Sequence, residues 1–177
     1  MLRRVILSVG LSFVVQFMSI FSVLADAPKE YEIKAAFLLN FTHFIRWPDT
    51  TLDSGASIKL CVLGADPFGK VLDDIVANEK KRAVVVQRLK LSKDDISDCH
   101  ILFVSRSEQP NYTQIFPLIA QKPILTIGET DDFLTQGGMI EFYISERRVR
   151  LGIALSTLRA AQLSANANLL KVAKIHE

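Results

Sequence analysis

Hydrophobic and polar positions along the chain form short blocks that predict strands separated by helices. Four apolar or β-branched runs have the length of buried strands, and helical spacing fills two of the intervals between them. Strands that alternate with helices in this way indicate βαβ units and a parallel sheet. The predicted strands lie at 58–63, 84–86, 100–105 and 124–127, and the predicted helices lie at 68–78 and 112–121.

A longer amphipathic helix precedes the first strand. Ile33, Phe37, Phe41 and Phe44 recur at steps of four, four and three residues, which places them on one helix face. This aromatic stripe favours core packing over a cofactor site, because any helix that docks on a sheet needs such spacing. The Trp-Pro pair at 47–48 ends the predicted helix.

The last third of the chain has a different pattern. Apolar residues alternate at 139–145 and 149–155 around a polar segment, which predicts an antiparallel hairpin at the edge of the sheet. Residues 156–175 show helical spacing, either as one helix or as two with a break near Ser164. The whole pattern predicts an α/β fold: a single three-layer domain with a mixed, mainly parallel sheet and an antiparallel C-terminal hairpin.

The N-terminus predicts export. Arg3 and Arg4 precede an apolar run at 5–24, and short side chains follow it, so a signal peptide at 1–25 with cleavage after Ala25 or Ala27 is expected. The alternative is a permanent membrane anchor, because about 20 apolar residues can span a bilayer. Cleavage would leave 26–177 as one soluble domain in the periplasm.

The charge balance argues against nucleic acid as a partner. The 177 residues include 21 Lys and Arg against 19 Asp and Glu, a formal net charge of +2. Loss of the two arginines of the signal peptide would bring the mature chain close to neutral. A polyanion-binding surface needs a strong excess of positive charge.

The two cysteines, Cys61 and Cys99, lie in or beside predicted strands. In an oxidising compartment two thiols within one small domain tend to pair, and neighbouring strands about 4.8 Å apart bring their Cα atoms within disulfide range. The predicted fold therefore has one disulfide. The alternative is a pair of buried free thiols.

The segment 64–71 contains the G-x-x-x-x-G-K part of a P-loop between a predicted strand and a predicted helix. Val71 replaces the hydroxyl that would bind magnesium, and Pro67 removes a backbone N–H from the phosphate cradle. Asp66 adds a carboxylate where phosphates would lie. The segment is therefore interpreted as a turn that leads into a helix.

Other catalytic and metal-binding patterns are missing from the sequence. His43, His100 and His176 have no ligand spacing, and neither C-x-x-C nor G-x-S-x-G occurs. The sequence thus predicts no enzyme, no metal and no cofactor, and a hydrolase that uses Asp66 or a histidine is the weakest hypothesis.

Small molecules bind open α/β sheets in the crevice outside the carboxyl ends of the strands. A ligand or partner crevice is therefore expected there, which would suit a small-ligand sensor that feeds a membrane sensor kinase or receptor. The candidate residues are Gly64, Asp66, Pro67, Phe68, Ser105, Arg106, Gly128 and Glu129.

Several segments together resemble the YfiR/HmsC family of periplasmic proteins, in an order and spacing that cover nearly the whole mature chain. They are 34–41 with Trp47-Pro48, 61–64 with 66–69, 99–104, 137–140, 148–150 and 169–171. This chain departs from the family's pattern at Gln162, where the pattern has glycine. It also departs in having two cysteines where some members carry four, which argues against any redox sensing that needs a second pair.

The resemblance implies an α/β domain with a Cys61–Cys99 disulfide, often as a homodimer. It also implies a negative regulator that binds the sensory domain of an inner-membrane diguanylate cyclase and lowers cyclic di-GMP, with effects on biofilm and exopolysaccharide. An OmpA-like outer-membrane lipoprotein would be the partner that sequesters the regulator. A regulator of this kind needs no active site, because a difference in affinity for two states of its partner is sufficient.

Overall fold

The computed structural model describes residues 27–51 and 56–177. The predicted signal peptide at 1–25 lies outside the described residues. The chain divides into two units, Met1–Glu30 and Tyr31–Glu177, and every described strand belongs to the second. The helices are α1 (Ala27–Phe44), α2 (Lys70–Ala77), α3 (Tyr112–Ile119), α4 (Leu155–Ala160) and α5 (Ala167–Val172). The strands are β1 (Ile45–Arg46), β2 (Ile58–Leu63), β3 (Val84–Leu89), β4 (Ile101–Val104), β5 (Leu125–Gly128), β6 (Ile140–Ser145), β7 (Arg148–Ala154), β8 (Ser164–Ala165) and β9 (Ala173–His176).

Seven of these strands form one mixed sheet in the order β3-β2-β4-β5-β6-β7-β9. The pairs from β3 to β6 are all parallel, β6 and β7 are antiparallel, and β9 joins β7 in parallel. The chain leaves β2 toward β3 and then returns to the other side of β2, so the winding direction reverses between β2 and β4. The predicted mixed, mainly parallel sheet is confirmed.

The predicted hairpin is confirmed, with a two-residue connection at its tip. Glu146 and Arg147 have φ of 51° and 59°, the positive values at both central residues that characterise a type I′ turn. The apolar residues of the two strands face one another, so the alternation in the sequence sets the register. The cross-strand pairs are Ile140–Ile153, Phe142–Leu151 and Ile144–Val149.

Alternation along the strands divides the interior into two cores, one on each face of the sheet. The larger core includes Leu38 and Phe41 of α1, Leu72 of α2, Leu158 of α4 and Leu169 of α5. The smaller core lies on the opposite face under α3 and includes both cysteines. We call these the α1 face and the α3 face. Helices on both faces confirm the three-layer architecture.

Helix α1 forms as predicted, and the three phenylalanines of the stripe pack on the core: Phe41 is part of it, and Phe37 and Phe44 contact it. Leu38 and Phe41 are fully buried, whereas Ile33 is 39% exposed and Phe37 is only half-buried. The prediction for Ile33 is therefore wrong. Steps of three and four residues fit more than one line along a helix, and packing against the sheet selects the line through Leu38.

Of the two alternatives for 156–175, the break near Ser164 is confirmed, but the prediction of helix up to residue 175 is wrong. Helix α4 ends at Ala160, and Gln162 follows with φ of 59°, the left-handed conformation that commonly terminates helices. Helix α5 starts at a cap in which Asn166 Oδ1 accepts from the backbone N–H of Leu169 at 3.0 Å. The chain then extends into β9, so β9 and not the hairpin forms this edge of the sheet.

Candidate ligand and partner sites

The structure brings most of the predicted crevice residues to one edge of the sheet. Gly64 follows β2, Ser105 and Arg106 follow β4, and Gly128 and Glu129 lie at the end of β5. Because these strands are parallel, their carboxyl ends meet at the same edge. The predicted location of the crevice follows from the topology, but the side chains at this edge already contact one another.

Asp66 stabilises a turn. Its Oδ1 accepts from the backbone N–H of Phe68 at 2.8 Å, and its Oδ2 accepts from Arg88 Nε at 2.8 Å. Arg88 also donates to Asp73, and these hydrogen bonds, that to Asp73 foremost, raise the pKa of the guanidinium. The Asp66-Pro67 turn thereby directs Phe68 into the core, where its ring packs edge-on against Phe103 with centroids 4.8 Å apart. The carboxylate of Asp66 is thus engaged by protein groups.

Glu129 forms a buried ion pair that was not anticipated from the sequence. Lys34 Nζ of α1 lies 2.6 Å from Glu129 Oε2, and each side chain is only 4% exposed. The Tyr31 hydroxyl lies 3.3 Å from both carboxylate oxygens, and Arg106 Nη2 donates to the Glu129 carbonyl oxygen at 2.8 Å. The pair holds α1 against the end of β5. A lysine in an amphipathic helix gives no signal of its burial, because its partner is 95 residues away along the chain.

The point where the winding direction reverses is filled by the protein itself. Gly64 has φ of +91°, and a Cβ added there would lie 2.5 Å from Ser107 Oγ and 2.7 Å from Glu108 Cγ. The Ala65 backbone N–H also donates to Ser107 Oγ at 2.9 Å. At the end of β5, the Phe133 ring lies directly against Gly128. The crevice between β2 and β4 is therefore narrow, and only glycine fits at position 64.

A polar hollow of about 530 Å³ remains beside this point. Of the eight predicted crevice residues, Gly64 alone is among the residues that line this hollow, so a ligand site built from all eight stays a prediction. The lining residues are Gly64, Ala65, Lys90, Leu91, Ser92, Glu108, Asn111 and Gln114.

The two cysteines form the predicted disulfide. Cys61 of β2 and Cys99, two residues before the start of β4, are bonded with their Cα atoms 6.0 Å apart. Both sulfurs lie in the core of the α3 face. The bond closes a long loop that includes α2 and β3, and it joins two neighbouring parallel strands.

The histidines lie on separate elements. His43 lies near the end of α1, with its Nε2 atom 3.1 Å from Glu79 Oε2, whereas His176 lies on β9. His100 Nδ1 accepts from the backbone N–H of Lys59 at 3.0 Å, and burial lowers the pKa of its ring. Within 27–51 and 56–177, no group of three His, Cys, Asp or Glu side chains is placed to hold a metal ion.

A second polar hollow of about 610 Å³ lies beside the small β1–β8 sheet. Arg46, Arg82 and Asp49 line it together with Trp47, the only tryptophan in the chain. The buried Trp47 Nε1 has no hydrogen-bond partner among the described residues. The hollow thus combines charges of both signs beside a buried indole, and nothing in the sequence pattern indicated it.

Three of the six exposed large apolar side chains among the described residues lie in the C-terminal part of the fold. Val172 is 63% exposed and Ile144 is 53% exposed, and Ile175 of β9 is also exposed. We call Ile144, Val172 and Ile175 the C-terminal apolar residues. Large apolar side chains with this degree of exposure frequently take part in protein–protein contacts when they cluster.

The chain is similar to a known protein family over most of its length. A model of the YfiR/HmsC-like family matches residues 31–174. The chain belongs to this family. YfiR/HmsC-like proteins are known for regulating diguanylate cyclases in the periplasm, and they are generally not enzymes. Among the described residues, no helix combines the length and the apolar character of a membrane span.

Proposed function

We propose that this YfiR/HmsC-like protein is a periplasmic negative regulator. It binds the sensory domain of an inner-membrane diguanylate cyclase, lowers cyclic di-GMP and so limits biofilm and exopolysaccharide formation. The observation that carries the proposal is the family match, which covers almost the whole folded unit. Export through the signal peptide at 1–25, with cleavage after Ala25 or Ala27, would deliver residues 26–177 to that compartment.

The proposed mechanism requires only that the protein bind one state of the cyclase more tightly than the other. Moving an evenly populated active state to about 1% takes roughly 2.7 kcal/mol of differential binding free energy. A modest interface supplies this amount.

The C-terminal apolar residues are the proposed contact with the cyclase. Ile144 at the hairpin tip, Val172 and Ile175 lie outside both cores, and their burial in a complex would contribute favourable free energy. The same proposal includes two further assemblies: a homodimer of the regulator, and sequestration by an OmpA-like outer-membrane lipoprotein that frees the cyclase.

Deletion and complementation test the proposed function. Deleting the gene should raise cellular cyclic di-GMP and surface attachment, and the wild-type protein supplied in trans should restore both to low levels. Ile144→Asp should fail to restore them while the protein accumulates normally. Leu118→Asp is the matched control, because Leu118 is also an exposed apolar residue but lies on α3. Unchanged cyclic di-GMP in the deletion strain would refute the regulator function.

Ligand sensing for a sensor kinase or receptor is a second candidate function, and the polar hollow beside Trp47 favours it. Arg46, Arg82 and Asp49 could together hold a small molecule that carries both charges. Because Trp47 is the only tryptophan, its fluorescence reports on this hollow directly. Titration with glycine should change the emission, and acetate or methylammonium should do so less. No saturable change with any of the three would remove this candidate.

A further inference from the structure

A third cavity lies between α3, the segment before β6 and the end of α4. Its volume is about 540 Å³, within the range of roughly 300–1,000 Å³ that is typical of small-molecule sites. It is separate from both polar hollows and shares no lining residue with them. The residues that line it include Tyr112, Phe116, Pro117, Thr126, Met139 and Ala160.

The walls of this cavity are mostly apolar and carry no formal charge. None of the described lining residues is Asp, Glu, Lys, Arg or His. Tyr112 and Phe116, with ring centroids 5.2 Å apart, form an aromatic wall on the α3 side, and Met139 lines the cavity beside β6. An ion that entered would lose hydration without gaining a counter-charge, so the walls favour uncharged ligands.

The cavity also contains a buried hydroxyl. Thr126, in the middle of β5, is 1% exposed, and its Oγ1 accepts from the backbone N–H of Met139 at 3.0 Å. That bond uses the oxygen as an acceptor and leaves the hydroxyl proton to be donated. A hydrogen-bond acceptor on a ligand would satisfy this donor in an apolar setting, where such a bond contributes most to specificity.

Helix α3 adds a potential acceptor to the same cavity. Pro117 lies inside the helix and has no N–H, so the carbonyl oxygen of Thr113 lacks its usual helical donor. Both residues line the cavity. The cavity therefore combines a buried hydroxyl donor with uncharged groups that can accept and donate, among them the side-chain amides of Gln121 and Gln136, and it has no formal charge.

We infer that this cavity binds an uncharged small molecule with an apolar, ring-sized body and a group that can both accept and donate a hydrogen bond. A primary amide on an aromatic ring has this chemistry. The inference goes beyond the regulator function and does not depend on it, since binding can be measured on the purified protein without any cyclase.

Two probes of equal size and different charge test the inference: 2-naphthamide and 2-naphthoate. Binding to the purified exported protein would be followed by calorimetry and by ¹⁵N NMR shifts at Thr126 and Gly137. The amide should bind saturably, and the carboxylate should bind about tenfold more weakly because its charge is desolvated without a partner. No saturable binding of the amide, or equal binding of both probes, would overturn the inference.

A substitution at the rim locates the binding. Ala160 is exposed at the end of α4, so Ala160→Phe should fill the cavity without disturbing the core and weaken amide binding about tenfold. Ala77→Phe, at an exposed alanine near the end of α2, is the matched control and should keep binding within about twofold. An unchanged affinity in Ala160→Phe, with unaltered thermal unfolding, would place the probe elsewhere and refute the site.

The hydroxyl is tested by a pair of variants at one position. Thr126→Ser keeps the donor and should bind the amide like the wild type. Thr126→Val removes it at nearly constant volume and should weaken binding about tenfold. Equal affinities of the two variants, each confirmed as folded by its NMR spectrum, would contradict the role of Thr126.

Discussion

The two halves of the sheet are stabilised in different ways. The parallel half, β3-β2-β4-β5, has three buried strands in β2, β4 and β5, a disulfide between β2 and the segment before β4, and a buried ion pair at the end of β5. The C-terminal half, β6-β7-β9, depends on a tight turn, a capped short helix and an exposed edge strand. Covalent and buried electrostatic links therefore occur in the parallel half, whereas the C-terminal half is held by a turn, a helix cap and packing.

Under the function proposed above, the C-terminal half would offer a surface to a partner, and the parallel half would contribute mainly to stability. Substitutions in the parallel half should therefore act mainly on stability, whereas substitutions of the C-terminal apolar residues should act mainly on binding.

Removing the disulfide should have the largest effect on stability. Cys61→Ala should lower the free energy of unfolding by about 4 kcal/mol, because the open loop gains entropy in the unfolded state. Urea unfolding of the wild type with and without reductant is the measurement. Cys99→Ala is the control, since it breaks the same bond and should match. Equal midpoints with and without reductant would show that the disulfide does not stabilise the parallel half.

Breaking the buried ion pair should be the next largest effect. Lys34→Met leaves Glu129 buried without its cationic partner, and should cost about 3 kcal/mol. The double variant Lys34→Met with Glu129→Leu should recover most of that loss, because it leaves no uncompensated charge. A double variant that is no more stable than the single one in urea unfolding would contradict this explanation.

Removing the cap of α5 tests the C-terminal half. Asn166→Ala should reduce the free energy of unfolding by about 1 kcal/mol, since the Leu169 N–H loses its side-chain acceptor. Asn166→Asp retains an acceptor and is the control. A loss comparable with that of the disulfide would indicate that the two halves depend on each other more than their contacts suggest.

Relieving the left-handed residue after α4 should produce a small gain. Gln162 has φ of 59°, and glycine adopts this conformation without steric cost, so Gln162→Gly should stabilise the protein by about 0.5 kcal/mol. Gln162→Ala keeps the Cβ atom, and with it the steric cost of the left-handed conformation, so its midpoint of thermal unfolding should not rise. A destabilising effect of glycine would mean that the Gln162 side chain makes a contribution of its own.

The smallest predicted change in stability is one that depends on pH. Burial raises the pKa of Glu141 above its ordinary value of 4.5, so folding favours the protonated form. Its contribution to stability is complete below pH 4.5 and is lost as the pH rises through the folded-state pKa. Glu141→Gln should therefore be more stable than the wild type near neutral pH, and the difference should vanish in acid. A constant difference at all pH values in urea unfolding would contradict this.

Local patterns were sufficient for much of the fold. The apolar run of β2, the hairpin of β6 and β7 and the helix α3 all depend on residues close together in sequence, so periodicity alone located them. Prediction of secondary structure failed where the local sequence is compatible with more than one conformation. Residues 173–176 have helical spacing, yet they form β9 because β7 offers unpaired backbone groups at that edge.

The candidate sites were less predictable than the fold. Parallel topology indicated the correct edge of the sheet for the crevice residues, but not that Ser107, Glu108 and Phe133 would fill the space there. The charged hollow beside Trp47 and the apolar cavity beside Thr126 are each built from segments far apart in the chain. Sequence spacing contains no information about such concave surfaces.

The amino-acid sequence by itself determined the order of the elements, the alternation of strands and helices, the candidate disulfide and the resemblance to the YfiR/HmsC family. Only the tertiary structure decided that Lys34 is buried against Glu129, which face of α1 meets the sheet and where cavities remain. The physical reason is the separation along the chain between the residues that determine each property. Backbone conformation and amphipathic patterning depend on neighbouring residues, whereas burial, charge pairing and cavity shape depend on residues that meet only after the chain has folded.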